Sequence, residues 1–162
     1  MLRAIAETRQ EVDWLIVGRR DLPESERGGV PIPARLRFES YLPAAEFALR
    51  VEDAPFVVLP LPERDQSLGQ LTVLFCMAMA RAVIATRVMG VEDYVADGET
   101  GLLVPPGDAG ALAEAVNRLL AEPDNAAAMG RAGYRRYREH FTDDVMGRRW
   151  EDAVSDLLAG RR

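Results

Sequence analysis

The chain contains no lysine. All 20 of its basic side chains are arginine, set against 26 aspartates and glutamates, for a formal charge of −6. That balance argues against nucleic acid as the main partner, because a phosphate backbone draws a net basic face. It also leaves arginine as the only permanently charged group available to grip a phosphate. Histidine and cysteine are nearly absent too, with one of each, His140 and Cys76. No metal is therefore implied, since there is no clustered set of His, Cys or Asp ligands. A lone cysteine excludes an internal disulfide and points to a reducing, cytoplasmic compartment. No apolar run is long enough to span a bilayer. The opening stretch MLRAIAETRQEVDWL is too polar for a signal peptide. A peripheral membrane contact through Arg131, Arg135, Arg136 and Arg138 stays open beside the plainer reading of a solvated helix face.

What is present is a chain of 162 residues, 48% of them hydrophobic, which suits one domain with a real core. Short apolar runs alternate with helical patterns. Residues 2–10 read as a helix, and Asp13 to Gly18 as a buried strand closing on glycine. Residues 19–34 are charged and rich in glycine and proline, a loop. Leu36 to Phe38 is a short strand. Pro43 opens a helix that runs through Val51, since proline suits a first helical turn. Phe56 to Leu59 reads as another buried strand, stopped by Pro60 and Pro62. Leu71 to Ala80 is a helix, apolar nearly all round and so central. Strands follow at 83–86 and 102–104, with a short turn or helix at 91–95 between them. Asp108 caps a helix over 109–121. Asp124 starts another, and Thr142 caps a last one over 142–158. This alternation means an α/β fold, a Rossmann-like parallel sheet with helices on both faces and helices alone at the C-terminal end. Residues 1–162 are expected to form a single domain. Its first clear element is a helix, so a preceding strand is expected to be missing.

In an open parallel sheet, ligands bind beyond the carboxyl ends of the strands. The loop over residues 60–70 is the best candidate. It leaves a strand and enters a helix through Ser67-Leu68-Gly69-Gln70. Glycine lets an anion approach the backbone, and the helix start offers unpaired N–H groups and a positive dipole end.

The surrounding residues sharpen this. Ser67 to Leu74, then Met77-Ala78-Met79 and Val83-Ile84-Ala85-Thr86, resemble GT-B glycosyltransferases of the large retaining family 4 type. So do Gly90 to Val95 and, most distinctively, Asp97-Gly98-Glu99-Thr100-Gly101-Leu102-Leu103-Val104-Pro105-Pro106-Gly107-Asp108. Weaker likeness reaches upstream to Leu15-Ile16-Val17-Gly18 and downstream to Met129-Gly130, Ala132-Gly133 and Phe141. The family fold is two Rossmann-like domains around a cleft, and this chain resembles the C-terminal, donor-binding one. The resemblance implies a nucleoside-diphosphate sugar as donor, no cofactor, and an acceptor-binding N-terminal domain outside this chain. It implies that Gly69, Gln70 and Leu71 lie against the donor diphosphate, that Gly18 and Arg19 line the same cleft, and that Ser40, Tyr41 and Leu42 sit near the base.

The family carries two acidic residues in this region, one facing the sugar and one bonding the ribose. Here Gln66 stands at the first position, with Glu63 and Asp65 close enough to substitute. At the ribose position stands Phe75, which has no acceptor; a ribose hydroxyl left unpaired there costs on the order of 1–3 kcal/mol. Arg81 stands where the family has a glycine, and a side chain in a left-handed cap costs roughly 1 kcal/mol. Two readings follow. One is a glycosyltransferase domain with Gln66 and Glu63 as candidate catalytic residues; the other is a degenerate nucleotide-binding or interaction module of the same fold.

Overall fold

The computed structural model describes residues 1–63 and 67–160. The elements run α1 (Leu2–Ala6), β1 (Trp14–Val17), α2 (Glu24–Arg27), β2 (Leu36–Glu39), α3 (Ala44–Asp53) and β3 (Phe56–Leu59). They continue α4 (Gln70–Ala78), β4 (Ala82–Thr86), β5 (Gly101–Val104), α5 (Ala109–Ala121), α6 (Pro123–His140) and α7 (Asp143–Leu158). Every strand pair is parallel. The architecture is α/β, as the alternating pattern requires.

β4 is the centre of the core. Its five residues are β-branched or small, and all are buried. Because side chains alternate across a strand, they divide between two faces. Ala82 and Ile84 join Leu112, Val116 and Leu119 of α5 and Met129 of α6. Val83 and Ala85 join Val73, Cys76 and Met77 of α4. Fully buried side chains such as Ile84, Met77 and Leu119 each stabilise by about 1.5–3 kcal/mol relative to exposure. Gly101 lets β5 close on β4: a Cβ there would lie 2.3 Å from the Val83 carbonyl oxygen.

The strands do not form one continuous ladder. β1 pairs with β2, with Trp14 opposite Leu36 and Val17 opposite Glu39. β3, β4 and β5 form a second ladder with β4 in the middle. A cavity of about 1170 Å³ opens between β1 and β3 and is lined by both. This corrects the expectation that these two strands are buried. Leu15 is 37% exposed, and all four residues of β3 are only half-buried. Each strand has a neighbour on one side only.

Several ends differ from the expected ones. α1 stops at Ala6, and the Thr8 hydroxyl donates to the Ala4 carbonyl at 3.0 Å, a bond that offers the backbone an alternative to helix. Asp108 does cap α5, accepting from the Ala111 N–H at 2.9 Å. Thr142 precedes α7 but makes no side-chain cap bond. α4 ends in a Schellman turn: the Ala80 N–H donates to the Met77 carbonyl and the Arg81 N–H to the Cys76 carbonyl. The left-handed residue is Ala80, at φ 53°, so the cap expected at Arg81 lies one residue earlier. The Arg81 side chain instead donates to the Glu52 carbonyl, from Nε at 3.1 Å and from Nη2 at 2.5 Å. α6 crosses this turn at Gly130, where a Cβ would meet the Ala80 carbonyl oxygen at 2.1 Å.

α7 buries none of its residues, and Met146, Trp150, Val154, Leu157 and Leu158 form an exposed apolar stripe along it. Among the described residues, no helix is long and apolar enough to cross a membrane.

Candidate donor-phosphate site

The carboxyl ends of β3 and β4 and the start of α4 meet at Gly69. Gly69 caps α4 with φ 87°, a left-handed conformation that glycine adopts without strain. It is also crowded: a Cβ would lie 2.6 Å from Leu61 Cδ1 and 3.1 Å from Leu59 Cδ2. The helix beyond has no side-chain cap and no acidic residue in its first turn. Its first internal bond is Val73 N–H to the Gly69 carbonyl, at 3.0 Å. The N–H groups of Gln70, Leu71 and Thr72 therefore have no partner within the helix. Leu71 is 74% exposed, so this turn faces solvent. Donors with no partner among the described residues and the positive end of the helix dipole make it suited to an anion.

Two contacts fix this turn. The Leu61 N–H donates to Thr86 Oγ1 at 2.9 Å, tying the loop to the end of β4; Thr86 is 4% exposed. The Gln70 amide bonds Ser67 Oγ, and Gly90 packs against both. A Cβ on Gly90 would sit 1.9 Å from Ser67 Oγ, so the loop after β4 approaches as bare backbone.

The remaining sequence candidates are dispersed. Glu63 is exposed on the loop leaving β3. Gln66 and Asp65 lie outside the described residues. Arg19 lines the same cavity as Pro60, Leu61, Pro62 and Thr86. Its guanidinium, however, forms a two-bond pair with Glu26, at 2.7 and 3.0 Å. The side-chain hydrogen bond between them raises the Arg19 pKa and lowers that of Glu26. Gly18, at φ 98°, turns the chain after β1. Ser40, Tyr41 and Leu42 follow β2, on the far side of β1 from Gly69. Ser40 Oγ accepts from Arg20 Nε at 3.0 Å, and Tyr41 is 90% exposed. Phe75 meets Phe47 of α3 edge-on, with centroids 5.7 Å apart, and is half-buried there.

Sequence reasoning missed two organising residues. Asp97 Oδ1 accepts from the Leu103 N–H at 2.9 Å while its other oxygen pairs with Arg87, which also lies 3.9 Å from Glu92. The Asp-Gly turn signal at 97–98 marks this residue as structural. Arg136 is no solvated face residue. Its Nε and Nη2 donate to the Tyr94 and Asp93 carbonyls, both at 3.0 Å, and its guanidinium lies 5.8 Å from the Phe141 ring centre.

A Gly-opened, uncapped helix after a parallel strand, followed by the Asp97–Asp108 turn and strand, matches a known family over residues 1–122. The chain belongs to the glycosyl transferases group 1 family. It is 30% identical, over its whole length, to the GDP-mannose-dependent alpha-(1-6)-phosphatidylinositol monomannoside mannosyltransferase of Mycolicibacterium smegmatis, covering 44% of that protein. Among solved structures, it superposes on sucrose-phosphate synthase from Thermosynechococcus elongatus with a TM-score of 0.82 and 29% identity. That match covers 98% of this chain and 41% of the other. Anabaena Alr3699/HepE, solved with UDP-glucose, gives a TM-score of 0.78 at 16% identity, covering 96% of this chain and 44% of that one. The last likeness concerns the fold alone. In each case the chain spans less than half the length of the protein it matches.

Proposed function

We propose that this chain is the donor-binding domain of a glycosyltransferase that uses a nucleoside-diphosphate sugar. The observation that carries this reading is the uncapped first turn of α4. Breaking the bond between sugar and diphosphate leaves negative charge on the departing phosphate. The Gln70, Leu71 and Thr72 N–H groups are aimed where that charge would develop, and fixed donors of this kind need no rearrangement as it forms. Gly69 and Gly90 keep side chains away from the turn, so the diphosphate reaches backbone. The names of the relatives fit the donor class, since one uses GDP-mannose and another was solved with UDP-glucose. Gln66 and Glu63, which fall between β3 and α4 in the sequence, are the candidates for facing the sugar. Gly18 and Arg19 line the cleft opposite, and Ser40, Tyr41 and Leu42 receive the base. The acceptor is held by a second domain, in keeping with the share of each relative that this chain matches. A cytoplasmic location accords with the single thiol, Cys76.

A second reading is favoured by Phe75. Its edge contact with Phe47 makes it a packing residue at the position where the family bonds the ribose. A fold that keeps the phosphate turn and loses the ribose acceptor suits a weakly binding or purely structural module. Calorimetry with UDP, GDP and ADP separates the two. The donor-binding reading expects saturable heat from one of them at millimolar concentration, and none from any would overturn it. The Phe75→Glu variant is expected to tighten binding of that nucleotide by roughly tenfold, the worth of one good hydrogen bond to a charged acceptor.

A further inference from the structure

α7 is fastened to the rest of the chain at one place. None of its residues is buried, and none belongs to the three apolar clusters of the core. Among the described residues, the side-chain hydrogen bonds that tie it to another element come from Arg149, and both end on His140. Arg149 Nη1 donates to the His140 carbonyl at 3.3 Å, and Nη2 lies 3.1 Å from His140 Nδ1. His140 is the last residue of α6, so its carbonyl is one of those the helix leaves without an internal partner. The α6 side of this joint is firm. Phe141 packs on Tyr94 with ring centres 5.0 Å apart, and Arg136 holds the Tyr94 and Asp93 carbonyls.

The chemistry of the Arg149 contact fixes the state of the ring. A guanidinium has donors only, so the nitrogen it meets must carry a lone pair. Nδ1 is therefore bare, and the ring proton sits on Nε2, which lies 3.9 Å from the Glu139 carboxylate. An imidazolium carries a proton on both nitrogens. Protonation at Nδ1 would set one N–H donor against another and one cation against another. The charged ring would instead be suited by Glu139 and by the carbonyl end of α6, both of which favour a cation. The other charged groups at the joint are Arg136, engaged with its two carbonyls across the Phe141 ring, and Asp143 and Asp144 in the first turn of α7. The loop after β4, which also packs here, presents the Tyr94 ring to Phe141.

We propose that His140 is a proton-operated latch on α7. The neutral ring accepts Arg149 and holds the helix against the end of α6; on taking up a proton from solvent at Nδ1, it lets the helix go. One proton moves, and no bond between heavy atoms is made or broken. Histidine is the side chain whose ordinary titration falls between about pH 5 and pH 8, so the latch works under mild conditions. The joint sets the direction of the apolar stripe of Met146, Trp150, Val154, Leu157 and Leu158, so the latch governs how that stripe is presented. The inference is independent of donor binding, because it rests on the joint between α6 and α7 and not on the α4 turn.

The test is nuclear magnetic resonance of the nitrogen-labelled full chain, titrated from about pH 8 to about pH 5.5. That range stays above the sequence pI of about 4.9. The chain has one histidine, so the ring signals belong to His140. At the alkaline end the ring is expected to carry its proton on Nε2. The α7 amides are expected to have the order parameters of rigid backbone there, about 0.85, and to fall below about 0.6 with the midpoint of the His140 titration. In Arg149→Met the ring should still titrate while the α7 amides stay at low order throughout. In His140→Leu they should be at low order throughout as well. Order in α7 that does not follow the His140 titration in the parent would overturn the proposal, as would a ring protonated on Nδ1 at the alkaline end. So would either variant in which α7 stays ordered or keeps the parent's response to pH, because another group would then hold the helix.

Discussion

Gly69 combines two demands that no other residue meets together. Its φ of 87° costs an L-residue about 1–2 kcal/mol, and a Cβ would press on Leu61. Leu61 Cδ1 is the end of a flexible side chain and can yield, so we expect Gly69→Ala to fold with a loss of about 1–3 kcal/mol, read from urea unfolding. Ala80 is the converse case, an alanine holding the left-handed position of a Schellman turn. Ala80→Gly relieves that strain and is expected to stabilise by about 0.5–1 kcal/mol, despite the added freedom of the unfolded chain. The same urea titration reads it, and a destabilised variant would contradict the turn assignment. Cys76 offers a third test. Burial pushes its thiol up to about 12, from a usual value near 9. The unfolded chain therefore loses this proton first as pH rises, and stability falls between those values. The slope is at most about 1.4 kcal/mol per pH unit. It should be present in the parent chain between pH 9 and 11, from the values just given, and absent from that range in Cys76→Ala.

At the scale of elements, the site depends on how the loop and turn after β4 are held. Asp97 binds the Leu103 backbone and Arg87 at once, and so pins the turn that starts β5 to the end of β4. The Arg87 pair is about half exposed and contributes little once water screens it. The bond to the Leu103 N–H matters more. Asp97→Ala is expected to cost about 1–2 kcal/mol in thermal unfolding, and Arg87→Ala less than 1 kcal/mol. Equal losses would show that the ion pair dominates. Much of this layer was legible in the sequence. Val83-Ile84-Ala85-Thr86 and Leu102-Leu103-Val104 read as strands because β-branched runs between turn residues leave little else. The cap at Asp108 was legible because one oxygen satisfies one orphan donor locally. The cap at Thr142 was not, since a suitable side chain does not oblige the bond to form. Arg136 was hidden because its partners, the carbonyls of Asp93 and Tyr94, are more than 40 residues away in the chain. The left-handed residue was misplaced by one because a Schellman turn is set by which carbonyls remain unpaired, not by residue type.

At the scale of the whole molecule, two buried clusters on either side of β4 hold the sheet while its other half stands apart. Single-strand patterns suggested one sheet with β1 and β3 inside it. A strand's apolar run shows that it suits burial; it does not supply the neighbour that buries it. The half-exposure of β3 is the consequence, and the cavity between β1 and β3 leaves no mark in the apolar pattern of either strand. The candidate site was legible in its backbone part, Gly69 with the helix start, because glycine and an uncapped helix have one local meaning. Its side-chain part was not, because Arg19 is held by Glu26 and Phe75 by Phe47, pairings that only the folded chain brings about. If the α4 turn binds a nucleotide, that nucleotide stabilises the whole chain by mass action. One present at a hundred times its dissociation constant should add about 2.7 kcal/mol, seen as a rise in Tm that grows with its concentration.

The central claim is that backbone N–H groups at the start of α4 receive a diphosphate. It is tested most directly by following the amide resonances of Gln70, Leu71 and Thr72 in a nitrogen-labelled chain as UDP, GDP or ADP is added. We predict that one nucleotide shifts these three saturably, while the first-turn amide of Ala111 in α5, already served by Asp108, stays in place. No movement of the three α4 amides with any of the three nucleotides, or equal movement of the Ala111 amide, would contradict the account.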